Sequence, residues 1–296
     1  PQQHAARAAL LSPLHESRMD THRQPPRRLL WMWLLVVLAF YAWWTSWLLM
    51  PGNAAVVLQH WPIALTMLFG SYVAGATPMG GGTVAFPILV LAFGLPATLG
   101  RDFSFAIQSV GMTSAAVFIL TRRQRLAWSM LAGALTGSLL GLPLGILAVA
   151  PQVSTILVKM VFAVCWAAFG LLHLVRLDDL MATAGNAGGD GRRQFGIGIA
   201  AGFLAGTTIV AVTGVGIDML VYALLVLGCR VDPKIAIPTS VVAMAFNSLL
   251  GTAIKLSITG LEPGVWGNWL AAAPVVALGA PLGAFAVAFL GRRITL

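Results

Sequence analysis

Residues 61–95 read WPIALTMLFGSYVAGATPMGGGTVAFPILVLAFGL. An apolar run from Trp61 to Met79 stops at Gly80-Gly81-Gly82 and resumes as Thr83–Leu95. The resumed piece has 13 residues, roughly 20 Å as a helix. A bilayer's hydrocarbon core is about 30 Å thick, so this piece is too short to cross. The stretch predicts a helix broken inside a membrane. The pattern recurs downstream: Phe195–Val212, then Thr213-Gly214-Val215-Gly216, then Ile217–Gly228, a piece of 12 residues.

Composition requires the same environment. Of 296 residues, 58% are hydrophobic and 9% charged, with mean hydropathy +0.87. Soluble domains carry about 25% charged residues, so a water-facing enzyme is excluded, and disorder is excluded by the apolar content. The remaining class is an all-α polytopic membrane protein. Further apolar runs are Leu29–Met50, Phe103–Leu120, Leu126–Ala150, Val153–Val175, Ile235–Ser257 and Trp266–Leu290. The expected architecture is about eight full spans plus two half-helices. Trp33, Tyr41, Trp43, Trp44 and Trp47 in the first run suit a membrane–water interface.

Lys and Arg number 18 against 9 acids, a net charge of +9. The basic residues flank spans, which points to the cytoplasmic membrane face and not to a nucleic-acid partner. Arg122, Arg123 and Arg125 form one such cluster; Arg176, Arg192 and Arg193 a second; Arg292 and Arg293 a third. These loops and the Arg-rich N-terminal arm are expected to be cytoplasmic, and both termini with them. Pro51–His60 and Pro151-Gln152 lack Lys and Arg and are expected outside. No cleavable signal peptide is evident, and Met19 could be a native start, so residues 1–28 are set apart from the fold.

The chain also repeats itself. Trp128 to Ala150 and Trp266 to Ala288 share their tryptophans, Gly-x-Pro-Leu-Gly and a closing Ala-Val-Ala at one offset of 138. The two glycine breaks match at an offset of 134, as do Gly94 and Gly228. By charge, the Trp128 span leaves the cytoplasm and the Trp266 span returns to it. Two inverted repeats with broken helices are a common design of secondary transporters, although a duplicated scaffold would show the same repeat. The expected division is a basic arm over 1–28, a first repeat over 29–150 and the second repeat's first span over 151–175. A cytoplasmic linker over 176–194 and the rest of the second repeat over 195–296 complete it.

Helix breaks leave backbone N–H groups unpaired at intramembrane depth. At the start of a following helix these groups favour an anion. Gly80, Gly81, Gly82 and Thr83, with Thr77 beside them, form one candidate half-site; Thr213, Gly214, Val215 and Gly216 form the other. Tight helix packing is the competing role for those glycines. Ser104 and Gln108 in the first half, and Thr239, Ser240 and Asn247 in the second, are polar within apolar runs. Interhelical hydrogen bonds would explain them as well as ligand contact does. Asp218 follows the second break by two residues. It either balances its helix dipole or couples a proton to transport. Arg101-Asp102 and Arg230-Val-Asp232 follow the half-helices and read as interfacial ion pairs. Cys165 and Cys229 give no disulfide framework or metal site, and His60 and His173 lack ligand spacing. No metal or cofactor is expected, and no catalytic constellation supports an enzyme.

Gly75-Ala-Thr-Pro-Met-Gly-Gly-Gly82 with Phe86-Pro87 and Phe93-Gly-Leu-Pro96 resembles the TauE/SafE family of sulfite and organosulfonate exporters. Gly202-Phe-Leu-Ala-Gly206, Gly214-Val-Gly216, Asp232-Pro-Lys-Ile-Ala-Ile-Pro-Thr239-Ser240 and Asn247 are similar in the second half. The resemblance covers nearly all of 61–290 and implies export of a small sulfur-containing anion across a bacterial inner membrane. A channel, a carrier of another small anionic metabolite and a non-transporting membrane interaction protein remain open readings. So does assembly into a homo-oligomer. The halves differ in detail: Ser104-Phe105 stands opposite Thr239-Ser240, and three extra residues precede the second break.

Overall fold

The computed structural model describes residues 27–176 and 189–289, which fold entirely as helices and their connections. The N-terminal arm, most of the 176–194 linker and the Arg292-Arg293 end lie outside the described residues. The elements are α1 (Arg27–Leu48), α2 (Asn53–Gln59), α3 (Trp61–Ala76), α4 (Gly82–Pro87), α5 (Ala97–Thr121) and α6 (Trp128–Leu144). They continue as α7 (Thr155–Val175), α8 (Gly191–Ala205), α9 (Ile217–Ala223), α10 (Pro233–Ile254) and α11 (Val265–Phe289). Five helices run on through a wider π-helical turn, among them α4 through Ile88–Ala92 and α9 through Leu224–Gly228.

Among the described residues, seven helices are long and apolar enough to cross a membrane, or eight if α2 and α3, bent by 66°, count as one span. Gly82–Ala92 and Ile217–Gly228 are the short apolar helices. The protein is thus an all-α polytopic membrane protein, with the interrupted helices where the sequence placed them.

The two breaks are made differently. Pro78 disfavours helix at the residue before it, and Thr77 is extended at φ −131° and ψ 165°. Its N–H and hydroxyl both return to the Val73 carbonyl, at 2.9 and 2.8 Å, ending α3. At the second break Gly214 and Gly216 both have positive φ, +80° and +114°, which glycine adopts without Cβ strain.

The half-helices end alike. Phe93 N–H bonds Ile88 O and Leu95 N–H bonds Leu89 O; Cys229 N–H bonds Leu224 O and Val231 N–H bonds Leu225 O. Gly94 and Arg230 take the left-handed position, at φ +67° and +53°. The structural counterpart of Gly94 is therefore Arg230, two residues beyond the Gly228 match read from sequence.

Glycine stripes join the helices in parallel pairs. A Cβ on Gly133, Gly137 or Gly141 of α6 would lie 2.1–2.3 Å from the carbonyls of Phe195, Ile199 and Phe203 on α8. Gly198 and Gly202 of α8 meet the Met130 and Ala134 carbonyls of α6 at 2.5 and 2.1 Å in the same way. Gly279 and Gly283 of α11 press on Ser71 and Tyr72 of α3, and Gly75 of α3 on Ala280. Each helix before a break thus pairs with the Trp-initiated helix of the other half. Small residues let helix backbones approach closely where lipid gives no hydrophobic drive.

Between the pairs lie α5 and α10, which run antiparallel. Ala127 N–H bonds Thr239 Oγ1 at one end, and the Phe105 ring abuts Gly251 at the other. The most apolar window of α5 is 72% buried, that of α1 only 6% and that of α7 17%. The last two therefore offer most of their surface to lipid.

Candidate functional site

The two breaks touch. A Cβ on Gly82 would stand 2.4 Å from Val215 Cγ1, 2.7 Å from Gln108 Nε2 and 2.8 Å from Ser104 Cβ. One on Gly214 would meet the Arg101 carbonyl at 2.5 Å and Ser104 Cβ at 2.9 Å. Ser104 and Gln108, on the buried helix α5, therefore bridge both breaks. Gly80 and Gly82 are glycine for this close approach, since neither has positive φ.

Gln108 is buried and held by its amide nitrogen, which donates to Ser104 O at 3.0 Å and Gly214 O at 3.2 Å. Ser104 Oγ returns to Gly100 O at 2.7 Å. Asp218, 1% exposed, enters from the first turn of α9. Its Oδ1 accepts from Met219 N–H at 3.0 Å, and the backbone N–H groups of Gly80, Gly216 and Asp218 also act on the carboxyl. Donors from both breaks thus converge on one internal carboxylate.

The other sequence candidates stand apart. Gly81 faces Met67 and Ala74. Thr77 caps α3. Thr213 Oγ1 donates to Ile209 O at 2.7 Å, and Val215 N–H reaches it at 3.4 Å, so it shapes the second break from within. Thr239 spends its hydroxyl on Ala127 N–H and Ile235 O, and Ser240 donates to Ile237 O. Asn247 Nδ2 donates to Ala243 O while its buried Oδ1 lacks a partner, as does Thr83 Oγ1. Among the described residues, the hydrogen bonds of Thr239, Ser240 and Asn247 go to α10 itself and to Ala127 N–H.

Sequence reasoning passed over two features. The first is an aromatic ladder on α7: Phe86 of α4 stacks on Phe162 at 4.6 Å, and Phe162 on Trp166 at 4.0 Å. Trp166 Cη2 lies 3.7 Å from where a Gly216 Cβ would stand, and its Nε1–H is buried without a partner. Farther along, His173 stacks on Tyr222 of α9 at 5.3 Å. The signal was present in the spacing of Phe162, Trp166, Phe169 and His173 along one helix face.

The second feature is an ion cluster. Arg101-Asp102 is more than an interfacial pair, because Asp102 is 1% exposed and also binds the buried Lys255 Nζ at 3.1 Å. Asp102 Oδ2 also accepts from Glu262 N–H, tying α5 and α10 to the loop before α11.

Two cavities open at matched places. One of about 590 Å³ lies at the start of α3 beside the turn after α4, lined by His60, Pro62, Leu95 and Pro96 among others. One of about 300 Å³ lies at the start of α8 beside the turn after α9, with Asp190, Arg193, Cys229 and Arg230 in its wall. Among the described residues no cluster of His, Cys, Asp or Glu is arranged to hold a metal.

No curated protein and no solved structure matches the chain. Residues 63–295 match the sequence model of the family described as Sulfite exporter TauE/SafE. That match covers both breaks and every element from α3 onward. This chain, with its paired broken helices, belongs to the TauE/SafE sulfite exporter family, a family of membrane transporters and not of enzymes.

Proposed function

We propose that the protein exports a small sulfur-containing anion, sulfite or an organosulfonate, across a bacterial inner membrane by alternating access. In this reading two inverted repeats rock about an anion site where the breaks meet. Its donors are the backbone N–H groups of Gly80, Gly216 and Asp218 that now serve the Asp218 carboxyl, with the Ser104 hydroxyl, the Gln108 amide and Trp166 Nε1–H nearby. The observation that carries the reading is the contact of Gly82 with Val215, which sets the two intramembrane helix starts against each other.

The matched parallel pairs and the antiparallel α5 and α10 support an inverted relation of the halves. The Gly82–Val215 contact leaves no room for an anion, so binding requires the breaks to part. The two cavities stand at corresponding places in the two halves, as an inverted relation would arrange them. The net charge of +9 favours anion recruitment without selecting one.

The test is a thermal-shift screen of detergent-purified protein against sulfite, small sulfonates, sulfate and carboxylates. A ligand at about 100 times its Kd adds about 2.7 kcal/mol of stability. Stabilisation by sulfite or a sulfonate, and not by carboxylates, is expected. A carboxylate-only response would overturn the substrate class.

A further inference from the structure

Gln108 Oε1 and Asp218 Oδ2 are both buried, and neither has a hydrogen-bond partner. They converge on Gly80: Oε1 lies 2.0 Å and Oδ2 2.8 Å from where its Cβ would stand. The amide cannot be turned over to relieve this. Its nitrogen faces two carbonyl oxygens, Ser104 O and Gly214 O, and exchanging N for O would set three acceptors together. A buried carboxylate oxygen and a buried amide oxygen gathered at one glycine, each without a hydrogen-bond partner of its own, are costly in a low-dielectric interior.

We propose that Gln108 and Asp218 form a proton site, in which Asp218 Oδ2 carries a proton and donates it to Gln108 Oε1. This deepens the transport reading and rests on it for its consequence. Ionised Asp218 is an internal anion lodged among N–H donors of both breaks. A substrate anion seeking the same donors meets that charge, so its binding requires neutral Asp218. Each anion bound then brings one proton onto Oδ2 from the aqueous side that supplied it, and the pair moves as anion plus proton. Gln108 is a positioning residue that holds the proton toward the breaks.

Other titratable groups lie on the elements around this region. On α5, Asp102 is paired with Arg101 beside it and with Lys255, just past the end of α10. α10 also begins beside Asp232 and Lys234, and α8 begins with Arg192 and Arg193. On α7 stand Lys159, Cys165 and His173, and on α9 itself Tyr222, stacked on His173. The α3–α4 break contributes no titratable side chain. His173 and Tyr222 are the groups to separate from Asp218 by experiment.

The direct measurement is infrared difference spectroscopy of purified full-length protein across a pH titration, without anion. The carbonyl stretch of a protonated carboxyl should appear in wild type, vanish in Asp218→Asn and move to higher frequency in Gln108→Leu, which removes its acceptor. His173→Ala and Tyr222→Phe should leave it in place. A band that is absent at every pH, or unmoved in a folded Gln108→Leu, overturns the proton site; the wild-type titration needs no variant. The second arm is binding of a small sulfonate, which stays a monoanion throughout, against pH. Affinity should fall about tenfold per pH unit above the carboxyl's titration in wild type and be independent of pH in Asp218→Asn. Affinity that ignores pH in wild type overturns the coupling. If no anion binds at all, the transport reading fails while the infrared result still decides the proton site.

Discussion

Pro281 has no N–H to offer the Ala277 carbonyl four residues back, and Ser114 of α5 donates to that carbonyl at 2.7 Å. Trp33 Nε1–H in turn donates to Ser114 Oγ at 3.1 Å. Pro274 leaves the Leu270 carbonyl open in the same way, and Trp44 Nε1–H fills it at 2.9 Å. Proline breaks in a membrane helix are tolerated where neighbouring side chains satisfy the freed groups. Ser114→Ala should lower stability by about 1–3 kcal/mol. In a Pro281→Ala background the same change should cost little, because the restored N–H at 281 bonds the carbonyl itself. Thermal unfolding of the double-mutant cycle in detergent reads this coupling. At this scale the sequence exposed residues that are costly wherever they sit: Asp218, Gln108 and the glycine runs. It could not expose Ser114 or Lys255, because their partners lie across space, Ala277 being 163 residues from Ser114. An apolar run containing one serine gives no sign of which carbonyl it will meet.

Helices α6 and α8 are held by backbone contact, and this sets apart glycines that look equivalent in sequence. Gly198 lies against the Met130 carbonyl, 2.5 Å from where its Cβ would stand, whereas Gly196 on the same helix has open space. Gly198→Ala should therefore destabilise by about 1–3 kcal/mol through overpacking. Gly196→Ala should be neutral or stabilising, by up to about 1 kcal/mol from helix propensity. Unfolding midpoints of the two variants check the pair, and an equal response would remove the stripe from the interface. The broken helices themselves were legible, since length against bilayer thickness decides them. Their ends were less so. The π-helical turns at Ile88–Ala92 and Leu224–Gly228 leave no compositional trace, and Arg230 takes a left-handed turn that glycine usually marks. Matching glycine to glycine therefore slipped by two residues.

On the scale of the molecule, the loop between α5 and α6 carries Arg122, Arg123 and Arg125, and its counterpart, residues 260–264 between the π-helical end of α10 and α11, carries Glu262 and no base. If the halves are inverted, these loops face opposite sides. In a background without Cys165 and Cys229, Gln124→Cys should react with an impermeant maleimide only from the cytoplasmic side and Thr259→Cys only from outside. Reaction of both from one side would leave the halves parallel. The repeat and the overall class could be read from sequence because they are one-dimensional patterns. The closure of the breaks on each other could not, since it depends on α5 packing against both of them. Alternating access through that closed junction is the central claim, and counterflow in proteoliposomes tests it most directly. Vesicles loaded with unlabelled sulfite or a small sulfonate should transiently accumulate the labelled anion, with an initial rate that saturates. A flux that is linear in concentration and shows no counterflow would make the protein a channel, and no flux of any sulfur anion would contradict the account.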